Sequence, residues 1–201
     1  MCNLYRQTKS AAEVAAWFAA TETTNQGNLA AEIYPGYPGL VVAGGEVRSM
    51  VWGFPFARLS EKTGKPLKPR PVNNARSDKL KSFMWRYSFE ERRCLIPVEA
   101  WAEAEGVKGA KTRTWLSQAG ADLFAVAGIW RASEEWGDCY SMIMVDAAGE
   151  AAAVHNRMPV LLAPETYETW LTASPSEAYD LCQPFTGSLT IDRTSQAWFA
   201  R

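Results

Sequence analysis

Residues 112–145 read TRTWLSQAGADLFAVAGIWRASEEWGDCYSMIMV. Three runs rich in β-branched, aromatic and aliphatic residues stand in this stretch, at 112–116, 123–130 and 140–145, with short polar segments between them. Runs of that length at that spacing read as strands in hairpins, the first two joined across Gln118-Ala119-Gly120-Ala121. Working outward, Cys94-Leu95-Ile96-Pro97-Val98 reads as a buried strand. Residues 47–54 form another, interrupted by Gly53 and closed by Pro55, and 40–42 a third, after the turn chemistry of Tyr34-Pro35-Gly36-Tyr37-Pro38-Gly39. Helical signals are few and short. Ser10 and Glu13 make a capping box ahead of Val14, Trp17 and Phe18, which predicts a helix over 10–22. A second helix is expected over 79–85, and Pro164 opens a third that runs to 171. Residues 60–73, rich in Pro and Lys, read as a mobile loop. Strands dominate, so the expected fold is α+β: a single domain over 1–201, built on a largely antiparallel, barrel-like sheet with flanking short helices.

The 201 residues are 47% hydrophobic, enough to fill one core of ordinary size and too much for a disordered chain. Formal net charge is −1, which by itself argues against a nucleic-acid partner. The distribution reverses that argument. Between Arg48 and Arg93 stand twelve basic residues against four acidic ones, an excess of eight positive charges, while the rest of the chain carries an excess of nine negative ones. Phosphate contacts are local and need only a basic stretch.

No apolar run opens the chain, so neither a signal peptide nor a membrane span is expected. Cys2, Cys94, Cys139 and Cys182 are far apart and form no CxxC pair, and His155 is the single histidine. That composition predicts reduced thiols in the cytosol and no metal site.

Cys2 is the sharpest chemical feature. Trimming of Met1 would leave it N-terminal, with an α-amine and a thiol on adjacent carbons. An α-amine titrates at about 7.7–8.0 against about 10.4 for lysine, so far more of it is unprotonated near neutral pH. Such an amine condenses with an aldehyde to a Schiff base, and the neighbouring thiol closes on the imine carbon to give a thiazolidine. His155, in Ala153-Val154-His155-Asn156-Arg157-Met158-Pro159, has the side chain suited to proton transfer near pH 7. Asn73-Asn74-Ala75-Arg76 offers amides that both donate and accept, beside a guanidinium suited to phosphate. Of Glu99, Glu103 and Glu105, spacing alone does not say which faces a site.

Taken in order, Met1-Cys2-Asn3-Leu4-Tyr5, Trp52-Gly53, Asn74-Ala75-Arg76, Cys94-Leu95-Ile96-Pro97 with Glu103, and His155-Asn156-Arg157-Met158-Pro159 resemble the SOS-response-associated peptidase (SRAP) family. The resemblance implies single-stranded DNA binding and covalent attachment to abasic sites, whose ring-opened sugar carries an aldehyde. By position it implies that Cys2 supplies amine and thiol, and that Asn74 holds the N-terminus or the sugar hydroxyl. Glu103 would move protons during Schiff-base formation, and His155 would act as acid/base on the ring. Arg76 and Arg157 would clamp phosphates, with Trp52 supporting the splayed strand. It further implies a cytoplasmic monomer that joins the nucleoid on damage and uses no cofactor. Two other functions share these residues: an N-terminal-cysteine thiol peptidase or amidohydrolase, and a non-covalent nucleic-acid-binding module. The chain departs from the family pattern at Asn3-Leu4, where Gly-Arg is usual, and at Ala102 and Ala104, where aromatic residues are usual.

Overall fold

The computed structural model describes residues 2–24 and 30–198. In chain order, β1 (Tyr5–Arg6) is followed by α1 (Ala11–Phe18) and the short strands β2 (Thr21–Glu22) and β3 (Glu32–Ile33). Two hairpins come next, β4 (Pro38–Ala43) with β5 (Glu46–Trp52), then β6 (Phe54–Leu59) with β7 (Pro66–Val72). β8 (Asn74–Arg76) leads through α2 (Arg86–Glu91) to β9 (Arg93–Val98), β10 (Ala100–Glu105) and β11 (Thr112–Gln118). β12 (Phe124–Ser133) and β13 (Gly137–Asp146) form a third hairpin, followed by β14 (Arg157–Pro159) and β15 (Leu161–Leu162). Helices α3 (Tyr167–Thr172) and α4 (Pro175–Asp180) precede β16 (Leu189–Ala197).

Five strands close on themselves. β12 pairs with β9 and β13, β9 with β4, and β4 with β5, while β5 runs parallel to β13 and completes the ring. Closure leaves none of the five as a free edge. The interior is apolar and aromatic: Trp52, Tyr5, Tyr140, Phe54, Leu40 and Leu95 are fully buried. Each such side chain contributes on the order of 1.5–3 kcal/mol, before the entropy of ordering it.

Tyr5 and Tyr140 meet hydroxyl to hydroxyl inside the barrel, and Gly39 lies against both. A Cβ at Gly39 would collide with the two hydroxyls. Gly39→Ala is therefore expected to destabilise the fold by about 1–3 kcal/mol through overpacking. Thermal melting checks this, at about 2–4 °C per kcal/mol for a chain of this size.

A second sheet, in the order β16-β11-β10-β1-β3, leans on the barrel. β9 and β10 are one run of chain that changes sheets at Glu99, whose carboxylate accepts hydrogen bonds from the Thr8 amide at 2.6 Å and the Lys9 amide at 3.2 Å. Its outer face carries a small separate core of Leu4, Ala100, Ala102 and Trp115. Ala102 faces Trp115 across the register, so the small residue makes room for the large one.

Several expectations from sequence need correcting. The strand at 112 does not form a hairpin with the one at 124: β11 pairs with β10 and β16, and the chain crosses to the barrel through the turn at Gly120. The capping box at Ser10 is present, but α1 stops at Phe18 because Ala19 turns left-handed at φ 50°, and Thr21–Glu22 then pairs with β5. The helix expected over 79–85 is displaced to Arg86–Glu91, with a single 3-10 turn at Ser77–Lys79. Leu80 and Trp85, five apart, share no helix face, whereas Trp85 and Phe89 do. The Pro/Lys-rich segment is an antiparallel arm, β6–β7, paired with no other strand among the described residues. Each strand of such an arm has a free edge, so Pro55 opposite Pro71 leaves no ladder bond unmade.

Candidate active site

The resemblance singled out residues from five segments, and the fold gathers four of them at one end of the barrel. Cys2 is fully buried just before β1. Its carbonyl oxygen accepts two side-chain amides, from Asn74 Nδ2 at 2.6 Å and Asn73 Nδ2 at 3.0 Å. β8 presents Asn74 because it runs parallel to the middle of β13, with Asn74 opposite Met142 and Arg76 opposite Met144. Among the described residues, the second amide oxygen of this pair, Asn74 Oδ1, is buried with no hydrogen-bond partner. A buried acceptor in that state costs about 1–3 kcal/mol and suits a donor brought by a ligand.

Asn73 was not singled out as a site residue, and its own anchoring is visible only in three dimensions. Its carbonyl accepts Trp52 Nε1 at 3.0 Å and the Met142 amide at 3.0 Å. Trp52 lies wholly in the core, edge-on to Tyr5 at 5.0 Å between ring centroids. It presents no face to a base; it holds the Asn73 loop that grips Cys2.

The three acidic residues left open by spacing now separate. Glu99 ties the corner at Thr8, and Glu105 accepts from Thr114 Oγ1 at 2.5 Å and pairs with Arg193 at 3.1 Å. Glu103, 3% exposed, is the one that faces Cys2 and His155. Burial pushes its carboxyl up to about 7, so it exchanges a proton readily near neutral pH. Burial, reinforced by the charge of Glu103, holds the Cys2 thiol far above the usual thiol range. The sulfur is thus a thiol, not a thiolate.

His155 Nε2 stands 3.9 Å from Glu103 Oε2. Its Nδ1 accepts the Arg157 amide at 3.0 Å, which places the ring proton on Nε2, toward Glu103. Burial first, and the cations Lys111 and Arg157 after it, keep the imidazole below its ordinary value and neutral at pH 7.

Arg76 and Arg157 flank the end of β13 on opposite sides, one facing Met144 and the other Asp146. With neighbouring strands about 4.8 Å apart, the two backbones are about 10 Å from each other. Arg76 forms a fork with Asp78 at 2.8 and 2.9 Å, and Arg157 pairs with Asp146 at 3.2 Å. Both acids are exposed, so an incoming phosphate can replace them. Arg6 does not stand in for the missing basic residue at position 4: it lies over the Trp115 ring at 4.2 Å, on the outer face of the second sheet.

The basic stretch is not one surface. Arg93 is buried and donates to the carbonyls of Phe89, Trp170 and Ala173, and Arg48 is paired with Asp138 at 2.5 Å. These two are structural. Arg58, Lys62, Lys65, Lys68 and Arg70 project from the β6–β7 arm into solvent. Among the described residues, no group of three or more His, Cys, Asp or Glu side chains is placed to hold a metal ion, and no helix is long and apolar enough to cross a membrane.

A family model described as SOS response associated peptidase (SRAP) matches residues 1–197. Among solved structures, a protein from Bordetella bronchiseptica is 24% identical with a TM-score of 0.78, covering 96% of this chain and 99% of that one. A protein from Bacteroides thetaiotaomicron is 20% identical with a TM-score of 0.80, covering 96% of this chain and 91% of that one. A phage-related protein from Bordetella bronchiseptica is 18% identical with a TM-score of 0.70, covering 97% and 95%. At these identities the likeness establishes a shared fold. No curated protein matches the sequence.

Proposed function

This chain belongs to the SOS response associated peptidase (SRAP) family, and from that premise we propose that it binds single-stranded DNA and links itself covalently to abasic sites through Cys2 after removal of Met1. The observation that carries the reading is the meeting, in one buried place, of the Cys2 backbone held by two amides with Glu103 and His155.

In this reading Arg76 and Arg157 hold the phosphates on either side of the damaged sugar. His155, neutral and with its proton on Nε2, gives that proton to the ring oxygen as the ring C–O bond breaks and takes the anomeric hydroxyl proton onto the same nitrogen, so the sugar opens to its aldehyde and the imidazole ends neutral. The Cys2 amine adds to that aldehyde, and loss of one water leaves the imine. Glu103, half-protonated near neutral pH, supplies the proton that turns the departing hydroxyl into water. That step leaves the imine protonated and Glu103 a carboxylate; the thiol then adds across the C=N bond: the S–C bond forms, the thiol proton passes to the Glu103 carboxylate, and the nitrogen keeps its proton as the ring amine of the thiazolidine.

The alternative of a thiol peptidase uses the same groups in another order. It needs a thiolate as first nucleophile, and such thiols are activated by a lowered pKa. Here burial and Glu103 push the Cys2 thiol the other way. That favours an amine that attacks first and a thiol that follows.

The test is incubation with single-stranded DNA carrying one abasic site, followed by a denaturing gel. A heat-stable shifted band is expected, and its absence from a correctly trimmed protein would sink the reading. The two asparagines should separate in single-turnover rates of band formation. Asn73→Ala loses one hydrogen bond to Cys2, about 1 kcal/mol or roughly fivefold. Asn74→Ala loses the shorter bond and the buried oxygen Oδ1 as well, and slows the reaction more.

A further inference from the structure

We propose that the cleft between α2 and α4 is a second contact for the DNA strand, seating one unpaired base against Tyr179 with its phosphate between Lys81 and Arg86. The proposal rests on the single-stranded DNA reading above and extends it to a place where no chemistry occurs.

The cleft has a volume of about 200 Å³ and is walled by Leu80, Phe89, Pro175 and Tyr179, with Lys81 and Arg86 at its rim. Phe89 and Tyr179 stand edge to face, 6.4 Å between centroids, and the Lys81 ammonium lies 5.9 Å from the Tyr179 ring. Between the two rim cations in sequence, Phe83 is 100% exposed, a whole aromatic side chain left in water. An aromatic cleft with cations at its mouth is the arrangement that holds unpaired bases: each base has a face to stack, and each phosphate needs one cation. Glu90 also lines the cleft, so the charge at its mouth is one excess cation. That is enough for a single phosphate and poor for an acidic peptide.

Commitment elsewhere separates these cations from their neighbours. Arg48 is held by Asp138, and Arg92 lies over Tyr87 at 5.2 Å and Trp130 at 5.1 Å. Among the described residues, neither Lys81 nor Arg86 makes an ion pair. The cleft is also within reach of the site. Lys81 follows Arg76 by five residues, a span of at most about 17 Å, so a strand clamped at Arg76 can run directly onto it.

Fluorescence anisotropy with undamaged single-stranded oligonucleotides of about 4 and about 16 nucleotides, lengths that bracket ordinary single-strand sites, tests this. The double variant Phe83→Ala, Arg86→Ala alters only exposed side chains, leaving the buried face of α2 intact. It should bind the longer oligonucleotide about tenfold more weakly, with a log–log salt slope shallower by about 0.7. The short oligonucleotide should bind as before, and the rate of adduct formation at saturating abasic DNA should stay unchanged. Equal affinity and salt slope for the long oligonucleotide would overturn the proposal while leaving the site chemistry standing. So would an equal loss on both lengths, or an acidic peptide that competes where DNA does not. Failure of the unaltered protein to bind either oligonucleotide would instead overturn the DNA reading itself, and the cleft with it.

Discussion

Cys2→Ala is expected to form no heat-stable adduct with abasic single-stranded DNA, at any protein concentration and any time. The variant keeps an N-terminal amine, so it can still reach the imine. It lacks the sulfur that closes the ring, and an imine in water returns to amine and aldehyde. Borohydride, which reduces imines, should therefore trap a band with Cys2→Ala that heat otherwise destroys. The unaltered protein should give its band without any reductant. The contrast separates the two halves of the residue: the amine sets whether a bond forms, the thiol whether it lasts. Undamaged DNA should bind the variant normally, because the carbonyl that Asn73 and Asn74 grip is backbone and survives the change.

Glu103→Gln carries the second large effect, and it has two parts of opposite sign. Adduct formation should slow by about 10²-fold, a typical contribution of a positioned general acid or base. The pH profile should change as well: a limb near pH 7, where the buried carboxyl titrates, is expected in the unaltered protein and should vanish in the variant. Stability should move the other way. The Glu103 carboxyl binds its proton more tightly in the fold than in the unfolded chain, with values near 7 and 4.5. Between those values the folded state carries the extra proton, so stability falls as pH rises through the window and is level above it. Above pH 7 the buried charge costs about 3 kcal/mol. Glu103→Gln should therefore melt higher than the unaltered protein at pH 8 and close to it at pH 4.5. A variant that is slower and yet more stable is what a functional carboxylate in an apolar place predicts.

Sequence made some features legible because their causes are local. The capping box at Ser10 and the neighbouring strands read at 123–130 and 140–145 follow from neighbours in the chain; the structure has both, with the strands paired as a hairpin and extended to Phe124–Ser133 and Gly137–Asp146. Cys2, Asn74, Glu103 and His155 could be picked out because a family pattern strings them along the chain in order. The rest depended on what packs against what. Nothing local says that the strand at 112 turns away from the one at 124 to lie between β10 and β16, since both partners are far off in sequence and β16 has a mostly exposed, polar pattern. The prolines of the β6–β7 arm argue against a strand unless its outer edge is known to be free. The resemblance implies that Trp52 supports the splayed strand, but its place in the core and its bond to Asn73 are facts of the closed barrel. The charge count behaved similarly: twelve basic residues in one stretch suggested one surface, and the fold buries Arg93 and pairs Arg48.

The claim that amine and thiol of one residue act together is tested most directly by mass spectrometry of the purified adduct after nuclease and protease digestion. The expected product is the N-terminal peptide beginning at Cys2, joined to the sugar with loss of one water, formed without reductant and no longer alkylated at sulfur. A sugar carried on a lysine, or an adducted chain that still begins with Met1, would contradict it.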